Sequence, residues 1–278
     1  MDKPLKAKKT LFYTGLYTAV MNEYALITGA SKGIGKSIAL SLARLGYNLL
    51  LLARSESDLQ LLSESITEEY KVKVYYLPVD LSANTAPLEI ANWCNSKTID
   101  LSILINNAGY GLWGNFDELK IHEQLNMLKL NIDAVVELSY HLIPVLKKQK
   151  QAYILNVSST AAYQAVPTLA LYAASKSFIL SYSRALRYEL KDSPVSVSCL
   201  CPGPTATGFS SRAGMDALAE LAEKFNMTPE NVAETGIKAM FKKRAEIVPG
   251  FLNKVSVFGA GILPKSLIER ITAGLYKQ

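Results

Sequence analysis

Histidine and cysteine are scarce in this 278-residue chain, which has two of the first and three of the second. Cys94, Cys199 and Cys201 lack the spacing of a disulfide framework, which argues against a small, disulfide-stapled secreted fold. Zinc sites usually take about four Cys, His or carboxylate ligands, and Cys199-x-Cys201 has no matching second pair. We therefore predict no metal site, and we expect the cysteines to be buried or structural.

Long apolar runs are also missing. No stretch reaches the roughly 18 apolar residues that a transmembrane helix needs. Residues 1–20 carry four lysines, and their apolar run is broken by Thr, Gly and Tyr, unlike the core of a signal peptide. We expect this segment to be a flexible basic extension, or to precede a natural start at Met21, and we expect a cytoplasmic protein that does not associate with membranes.

A strong charge bias is absent as well. Of the formal net charge of +6, residues 1–20 contribute +3, which leaves +3 on the other 258 residues. Nucleic-acid-binding domains carry a clustered basic face, so we predict no nucleic-acid partner. With 49% hydrophobic residues, a chain of this length can bury a large core without disulfides or metals.

The sequence does contain a regular alternation of apolar strands and helical segments. Asn48–Ala53 includes four consecutive leucines, a run typical of a strand buried on both faces of a parallel sheet. The alternation predicts an α/β fold, a three-layer, Rossmann-like, doubly wound parallel sheet that forms a single domain over residues 21–250. Residues 251–278 are expected to form a packed or interface helix. The predicted strands are residues 24–28, 48–53, 73–77, 101–105, 152–157, 195–200 and 245–248, and the main predicted helices are 86–96, 117–149 and 171–191.

A glycine-rich turn, residues 28–35, joins the first strand to a helix. Glycines let the backbone approach a pyrophosphate, and a helix N-terminus adds unpaired N–H donors and a positive dipole. An ordinary strand-to-helix turn is the alternative for a lone glycine cluster, but the strand before it and the helix after it match a phosphate-binding arrangement. The turn therefore predicts a dinucleotide site.

The spacing of this turn, Thr-Gly-x-x-x-Gly-x-Gly, resembles that of the short-chain dehydrogenase/reductase family rather than the usual Gly-x-Gly-x-x-Gly. The resemblance spans about residues 21–250 and includes Asp80-Leu81, Asn106-Asn-Ala-Gly109, Tyr172-x-x-x-Lys176 and Pro202-Gly203 in the same order. By this resemblance, the implied cofactor-binding residues are Thr28, Gly29, Ser31, Lys32, Gly33, Ile34, Gly35, Arg54, Asp80, Leu81, Asn107, Ala108, Gly109, Tyr172, Lys176, Pro202, Gly203, Thr205 and Thr207.

The end of the second strand bears on the choice of cofactor. NAD-specific sites place an Asp or Glu there to bind the ribose hydroxyls, whereas this chain has Ala53-Arg54. An Arg fork can grip a 2′-phosphate that a carboxylate would repel, and Lys32 is a second cation in reach. The alternative is that Arg54 is only a solvated residue of the helix start. We predict NADP(H) in preference to NAD(H).

Tyr172 and Lys176 are four residues apart in a predicted helix and so share one face. A nearby ammonium favours the phenolate and lowers the pKa of a tyrosine. Such pairs arise by chance among 15 tyrosines, but Ser159 lies thirteen residues before Tyr172, as in the family. The resemblance implies that Tyr172 protonates a carbonyl oxygen, that Lys176 binds the nicotinamide ribose, and that Ser159, rather than its neighbour Ser158, binds the substrate oxygen.

Asn131 matches a fourth family position, where the residue holds a helix kink and a water that links the lysine to solvent. A buried, structural Asn is the alternative. Thr205 replaces an apolar residue that is common in the family, so its side-chain role is open. Residues 204–226 are the expected lid, with an apolar wall formed by Phe209, Met215 and Leu221.

These observations predict an NADPH-dependent oxidoreductase that reduces a ketone or aldehyde to an alcohol, with the small-molecule carbonyl as its partner. Family members commonly form homodimers or homotetramers through the two long helices, and the same is expected here. The alternatives are an NADPH-binding sensor or scaffold without turnover, and a membrane-surface lipid-carbonyl reductase that uses the basic N-terminal stretch or the apolar tail.

Overall fold

The computed structural model describes residues 22–97, 99–207 and 227–275. The predicted extension over residues 1–20, most of the predicted lid, and its three wall residues Phe209, Met215 and Leu221 lie outside the described residues.

The described residues form a seven-stranded sheet in the order β3-β2-β1-β4-β5-β6-β7, and every neighbouring pair is parallel. The order reverses between β1 and β4, which is the arrangement of a doubly wound sheet. The strands are β1 Glu23–Thr28, β2 Asn48–Ala53, β3 Val74–Pro78, β4 Asp100–Asn106, β5 Ala152–Val157, β6 Val195–Leu200 and β7 Glu246–Ile247.

Helices cover both faces of this sheet. They are α1 Gly33–Arg44, α2 Glu56–Tyr70, α3 Ala86–Ser96, α4 Ile121–Leu128, α5 Ala134–Leu146, α6 Ala170–Glu189, α7 Pro229–Phe241, α8 Phe251–Ile262 and α9 Lys265–Leu275. A π-helical turn, Lys129–Asp133, joins α4 to α5, and a 3₁₀ turn, Thr160–Tyr163, follows β5.

Burial explains the three layers. All six residues of β2 are buried, as its leucine run predicts. Alternate strand residues contribute to two cores: one lies under α1, α2 and α7, and the other under α3, α5 and α6. The predicted three-layer, doubly wound sheet is therefore confirmed, and Cys94, Cys199 and Cys201 are buried, free thiols.

Local signals set several helix ends. The Ser55 hydroxyl accepts a hydrogen bond from the Asp58 amide at 3.3 Å and caps α2. Thr228 caps α7 in the same way, with Pro229 in the first turn. Gly46 has φ +89° just after α1, a conformation that glycine adopts without strain.

Two predicted helices differ from the structure. The segment predicted as one helix over residues 117–149 is shorter and is interrupted by the π-helical turn at Lys129–Asp133. The tail, predicted as one helix, forms α8 and α9, with Pro264 between them. Among the described helices, none combines the length and the hydropathy that a membrane crossing requires.

Candidate active site

The carboxyl ends of β1, β2, β4, β5 and β6 open onto one cavity of about 1350 Å³. Open α/β sheets bind ligands at this edge, where the strand order reverses. All the predicted cofactor and catalytic residues line this cavity, with the exception of Thr28, Gly35 and Asn131. The structure therefore brings together residues as far apart in the chain as Gly29 and Thr207, which are 178 positions apart.

The glycine turn forms the floor of the cavity at one end. Gly29 and Gly33 have φ values of +64° and +54°, which glycine tolerates best. A Cβ on Gly35 would lie 2.2 Å from the Gly29 carbonyl oxygen, and one on Gly33 would lie 2.9 Å from the Thr207 Cβ. Because Gly33 and Ile34 open α1 and line the cavity, the turn can admit a pyrophosphate against the N-terminus of α1.

Thr28 and Asn107 hold this turn against the loop that follows β4. The Thr28 hydroxyl accepts hydrogen bonds from the amides of Asn107 and Ala108 at 2.9 and 3.0 Å, and it donates one to the Ile105 carbonyl. The Asn107 side chain donates to the Thr28 carbonyl at 2.9 Å. These two predicted cofactor residues thus shape the site through hydrogen bonds within the protein.

The end of β2 supplies charged groups to the same cavity. Arg54 is exposed there, and Lys32 forms an ion pair of 3.3 Å with Asp58 on the first turn of α2. The Ser55 hydroxyl and then the Lys32 ammonium hold the pKa of Asp58 below its ordinary value. Sequence reasoning missed Asp58 as part of the site. Its position three residues after Ser55, the cap of a helix that begins at the end of β2, was the available signal.

Asp80 and Leu81 border the cavity between β3 and α3. One Asp80 carboxylate oxygen accepts hydrogen bonds from the Ser82 amide at 3.0 Å and the Ser82 hydroxyl at 2.8 Å. This places a fixed acceptor on the rim, at a residue that the resemblance implies as cofactor-binding.

Tyr172 and Lys176 lie on successive turns of α6, and both are buried. The Lys176 ammonium donates to the Val157 carbonyl at 3.0 Å and lies 5.8 Å from the centre of the Tyr172 ring. Burial lowers the pKa of Lys176 to about 8, and the neighbouring Cys199 and Cys201 thiols oppose that shift. The Lys176 ammonium, whose pKa is lowered, therefore lies close to the Tyr172 phenol.

The serine pair after β5 divides its roles. The Ser158 hydroxyl is buried and donates to the Lys176 carbonyl at 2.7 Å, which ties β5 to α6. The Ser159 oxygen accepts from the Ala161 amide at 3.1 Å and lines the cavity. This bond uses Ser159 only as an acceptor, so its O–H can be donated to a ligand oxygen.

The turn that begins at Ser159 is braced from below. Tyr163 ends it and donates a 2.7 Å hydrogen bond to the Glu246 carboxylate on β7. Arg184 of α6 holds the other oxygen of that carboxylate at 2.9 Å. The orientation of Ser159 therefore depends on β7 as well as β5.

Asn131 lies in the π-helical turn with 1% of its surface exposed. Its side chain accepts from the Tyr110 amide at 3.1 Å and donates to the Tyr110 carbonyl at 3.0 Å and to the Ser175 hydroxyl at 3.1 Å. A Cβ on Gly109 would lie 2.9 Å from the Asn131 oxygen and 3.3 Å from the Lys176 nitrogen. The Asn131 side chain therefore ties the π-helical turn to the loop after β4 and to α6.

The loop after β6 meets the tail helices. Thr205 donates to the Gly203 carbonyl at 2.9 Å, and Thr207 donates to the Thr205 carbonyl at 3.3 Å. A Cβ on Gly203 would lie 2.3 Å from the Asn253 oxygen. Asn253 is on α8 and donates to the Pro249 carbonyl at 2.8 Å. Helix α8 is therefore packed directly on the Pro202-Gly203 loop.

Sequence reasoning missed the tail as a wall of the site. One face of α8 and one residue of α9 line the cavity opposite the sheet, together with apolar residues around the 3₁₀ turn and the start of α6. Only helical spacing in an apolar tail marked these positions. The added lining residues include Val166, Leu169, Phe251, Leu252, Asn253, Ser256, Val257, Ala260 and Thr272.

A family model described as "short chain dehydrogenase" matches residues 23–218. This is well over half of the chain and includes the glycine turn, the Ser159–Tyr172–Lys176 set and the loop after β6.

Two curated relatives illustrate the range of similar proteins. A very-long-chain 3-oxoacyl-CoA reductase of Pyrenophora tritici-repentis is 35% identical over 210 residues, 73% of this chain and 60% of that protein. A human protein named inactive hydroxysteroid dehydrogenase-like protein 1 is 31% identical over 192 residues, 67% of this chain and 57% of that protein. The chain thus spans less than two thirds of the length of these relatives.

Solved structures share the fold. A 7beta-hydroxysteroid dehydrogenase gives a TM-score of 0.81 at 24% identity, covering 90% of this chain and 96% of that one. A short-chain dehydrogenase of Sphingobium yanoikuyae in complex with NADPH gives 0.76 at 25% identity, covering 88% and 97%. A short-chain dehydrogenase/reductase of Burkholderia phymatum in complex with NAD gives 0.75 at 22% identity, covering 85% and 92%.

Proposed function

Because the chain belongs to the short-chain dehydrogenase/reductase family, we propose that it is an NADPH-dependent reductase that converts a bulky, apolar ketone into a secondary alcohol. The observation that carries this proposal is the meeting of Ser159, Tyr172 and Lys176 in one cavity that extends to the glycine turn and Arg54.

Proton delivery is assigned to Tyr172. A free tyrosine titrates near 10, so its phenol holds a proton at neutral pH and can donate it to an oxygen that gains negative charge. The Lys176 ammonium, 5.8 Å from the ring centre, stabilises the phenolate that donation leaves behind. The proton then returns to Tyr172 from solvent.

Orientation of the substrate oxygen is assigned to Ser159. Its donor faces the cavity, while its oxygen is held by the Ala161 amide. A carbonyl oxygen that accepts from both Ser159 and Tyr172 is polarised and fixed against the proton donor.

NADPH would supply the hydride when bound. The glycine turn and the α1 N-terminus fit its pyrophosphate. Gly109 borders the cavity beside Lys176, and Pro202 and Gly203 also line the cavity. The preference for NADPH is supported by Arg54 and Lys32 on the rim and by the lack of an acid at the end of β2. The Sphingobium structure in complex with NADPH is in line with this preference.

The substrate class follows from the walls opposite the sheet. Val166, Leu169, Val257 and Ala260 make this side of a large cavity apolar. The names of two similar proteins, a very-long-chain 3-oxoacyl-CoA reductase and a 7beta-hydroxysteroid dehydrogenase, refer to compounds whose acyl chain or steroid skeleton is large and apolar. Steroid-like ketones and long-chain 3-oxoacyl thioesters are therefore the substrates to test first.

Assembly and location complete the proposal. We propose a cytoplasmic homodimer or homotetramer formed through α5 and α6, where Tyr140 and Phe178 are exposed apolar side chains. Analytical ultracentrifugation of the wild type beside Tyr140→Ser tests this, since a sedimentation coefficient of a monomer in both would reject it.

An NADPH-binding protein without turnover is the second candidate. It is favoured by one observation, the word "inactive" in the name of the human relative. The complete Ser159–Tyr172–Lys176 set favours the reductase. Binding of NADPH without turnover on any bulky ketone would decide for the second candidate.

The deciding experiment follows NADPH absorbance with steroid ketones, long-chain 3-oxoacyl thioesters and small ketones as substrates. We expect turnover of a bulky ketone, and a loss of kcat of at least about a hundredfold in Tyr172→Phe. Tyr188→Phe is the matched control, because Tyr188 is on the same helix but 70% exposed. Equal rates in the wild type and Tyr172→Phe would reject the assigned proton donor.

A further inference from the structure

The tail helices carry an apolar surface on the side that faces away from the cavity. Val255, Phe258 and Ile262 are spaced at helical intervals along α8 and are between 52% and 71% exposed. Their stripe is opposite the face that holds Asn253 and Ala260, which line the cavity. We call this surface, continued by Leu263, Leu267 and Ile271 at 43% to 50% exposure, the tail face.

Helix α9 fixes the tail face in place. Ile268 and Thr272 are buried against the body of the protein, and the Thr272 hydroxyl bonds the Ala165 carbonyl at 3.3 Å. The apolar side chains therefore project outward from a docked pair of helices. Contiguous exposed apolar surfaces of this kind mark sites that another surface covers.

Charge indicates what that surface is. Lys254, Lys265 and Arg270 are exposed on the two helices, against the single carboxylate of Glu269 in residues 251–275. Apolar side chains flanked by cations match an anionic lipid interface, where the acyl boundary takes the first and the headgroups take the second. A second copy of the chain fits less well, because a two-fold contact places the patch on itself and brings like charges together.

We propose that the tail face docks this protein on the surface of an anionic phospholipid membrane. At 12 and 11 residues, α8 and α9 are too short to span a bilayer, which needs about 20 residues, so they lie in the interface. Docking places the cavity, whose wall is the other face of α8, next to the acyl chains. That consequence for substrate entry rests on the reductase proposed above; the docking itself does not.

The test is co-sedimentation of the full chain with phosphatidylcholine vesicles that contain phosphatidylglycerol, beside vesicles of phosphatidylcholine alone. We expect binding to the anionic vesicles at least about tenfold tighter than to the neutral ones, and weaker in high salt. In Val255→Ser/Phe258→Ser we expect a loss of about tenfold or more, because two apolar side chains no longer enter the interface. Neither residue lines the cavity, so NADPH binding should be unchanged.

Leu61→Ser is the matched control, since Leu61 is 66% exposed on α2, away from the tail. If the apolar double variant does not fold, Lys254→Glu/Arg270→Glu reads the same surface and should lose the preference for anionic vesicles. The proposal is overturned if the wild type does not sediment with anionic vesicles, or if the variants bind as the wild type does. Self-association that the serine variant abolishes, without vesicle binding, would assign the tail face to a second copy. Because vesicle binding needs no turnover, its failure is distinct from failure of the reductase proposal.

Discussion

Lys176 is a residue of the site whose burial costs folding stability while it is charged. It is a buried cation, bonded to the Val157 carbonyl, and burial lowers its pKa to about 8. An ordinary lysine titrates near 10.4, so between these two pH values the unfolded chain binds more protons than the folded one. Stability that involves this group therefore rises with pH across that window.

A comparison of the wild type with Lys176→Met isolates this effect. We expect the free energy of unfolding of the cofactor-free wild type, relative to the variant, to increase by about 2 kcal/mol from about pH 7 to about pH 10. Urea unfolding at each pH measures it, and other groups that titrate in this range cancel between the two proteins. Lys148→Met, at an exposed lysine, should show no such trend. A constant difference across the range would contradict the lowered pKa.

Asp58 is the residue that the sequence did not single out. Its carboxylate faces the same rim as Arg54 and is paired with Lys32 at 3.3 Å. Asp58 therefore pairs with Lys32, a cation that would otherwise bind a 2′-phosphate, and it places a negative charge next to that phosphate. The residue should reduce the preference for NADPH without affecting the rest of the dinucleotide.

In Asp58→Asn we expect the Kd for NADPH to fall roughly three- to tenfold, while the Kd for NADH stays within about twofold. Fluorescence titration of both cofactors measures this. Arg54→Ser should act in the opposite sense, and Glu56→Gln, an exposed acid in the same helical turn, should change neither value. Equal weakening of both cofactors in Asp58→Asn would instead show that Asp58 positions the loop.

At the scale of elements, apolar patterning was enough to predict the sheet. Three strands have the predicted bounds, because a strand that is buried on both faces is a continuous apolar run whose ends are visible in the sequence. They are Asn48–Ala53, Ala152–Val157 and Val195–Leu200. The apolar periodicity did not predict the interrupted helix, since one extra residue in a turn hardly changes it; only the resemblance implied a kink at Asn131. The side-chain bonds of Asn131 to Tyr110 accompany that turn, and they depend on a loop far away in the sequence.

Asn131→Ala tests the role of this turn. The substitution removes two hydrogen bonds to the half-buried Tyr110 backbone and one to the buried Ser175 hydroxyl, so we expect a loss of about 2–4 kcal/mol in the free energy of unfolding. Urea unfolding measures the loss. Asn126→Ala is the control, because Asn126 is exposed in the same helical region and its side chain makes a long, 3.4 Å contact with the Tyr110 hydroxyl. If Asn131→Ala is as stable as Asn126→Ala, the Asn131 hydrogen bonds do not stabilise the π-helical turn.

The contact between the β6 loop and α8 gives a second prediction at this scale. In Gly203→Ala the new Cβ would meet the Asn253 side chain at 2.3 Å, so α8 or the loop must move. We expect kcat/KM to fall by about tenfold or more. Asn253→Ala in the same chain should restore much of the loss, since it removes the three atoms that the Cβ meets. Gly259→Ala, at an α8 glycine with open space around it, should be neutral. If Asn253→Ala does not restore activity, the loss in Gly203→Ala does not come from the contact with Asn253.

For the whole molecule, the two halves of the site differ in how far the sequence reveals them. The cofactor half is built at strand ends, where short motifs such as residues 28–35 and 106–109 fix both residue type and place. The substrate half is built by α8 and α9, whose apolar residues have no motif and whose docking depends on the finished sheet. The sequence therefore indicated the chemistry, while the shape of the substrate cavity required the structure.

If the cavity between the sheet and α8 sets substrate size, filling it must affect large ketones more than small ones. Ala260 lines that cavity from α8, so in Ala260→Trp we expect kcat/KM for a bulky ketone to fall by at least about tenfold, with a small ketone changed by less than about twofold. Val255→Trp, on the outward side of the same helix, should leave both unchanged when assayed without lipid. Equal losses for both ketones would mean that the substitution disturbs the catalytic set itself, and no loss for either would place the substrate outside this cavity. Selectivity confined to the large ketone would assign specificity to the tail and leave the chemistry with the sheet.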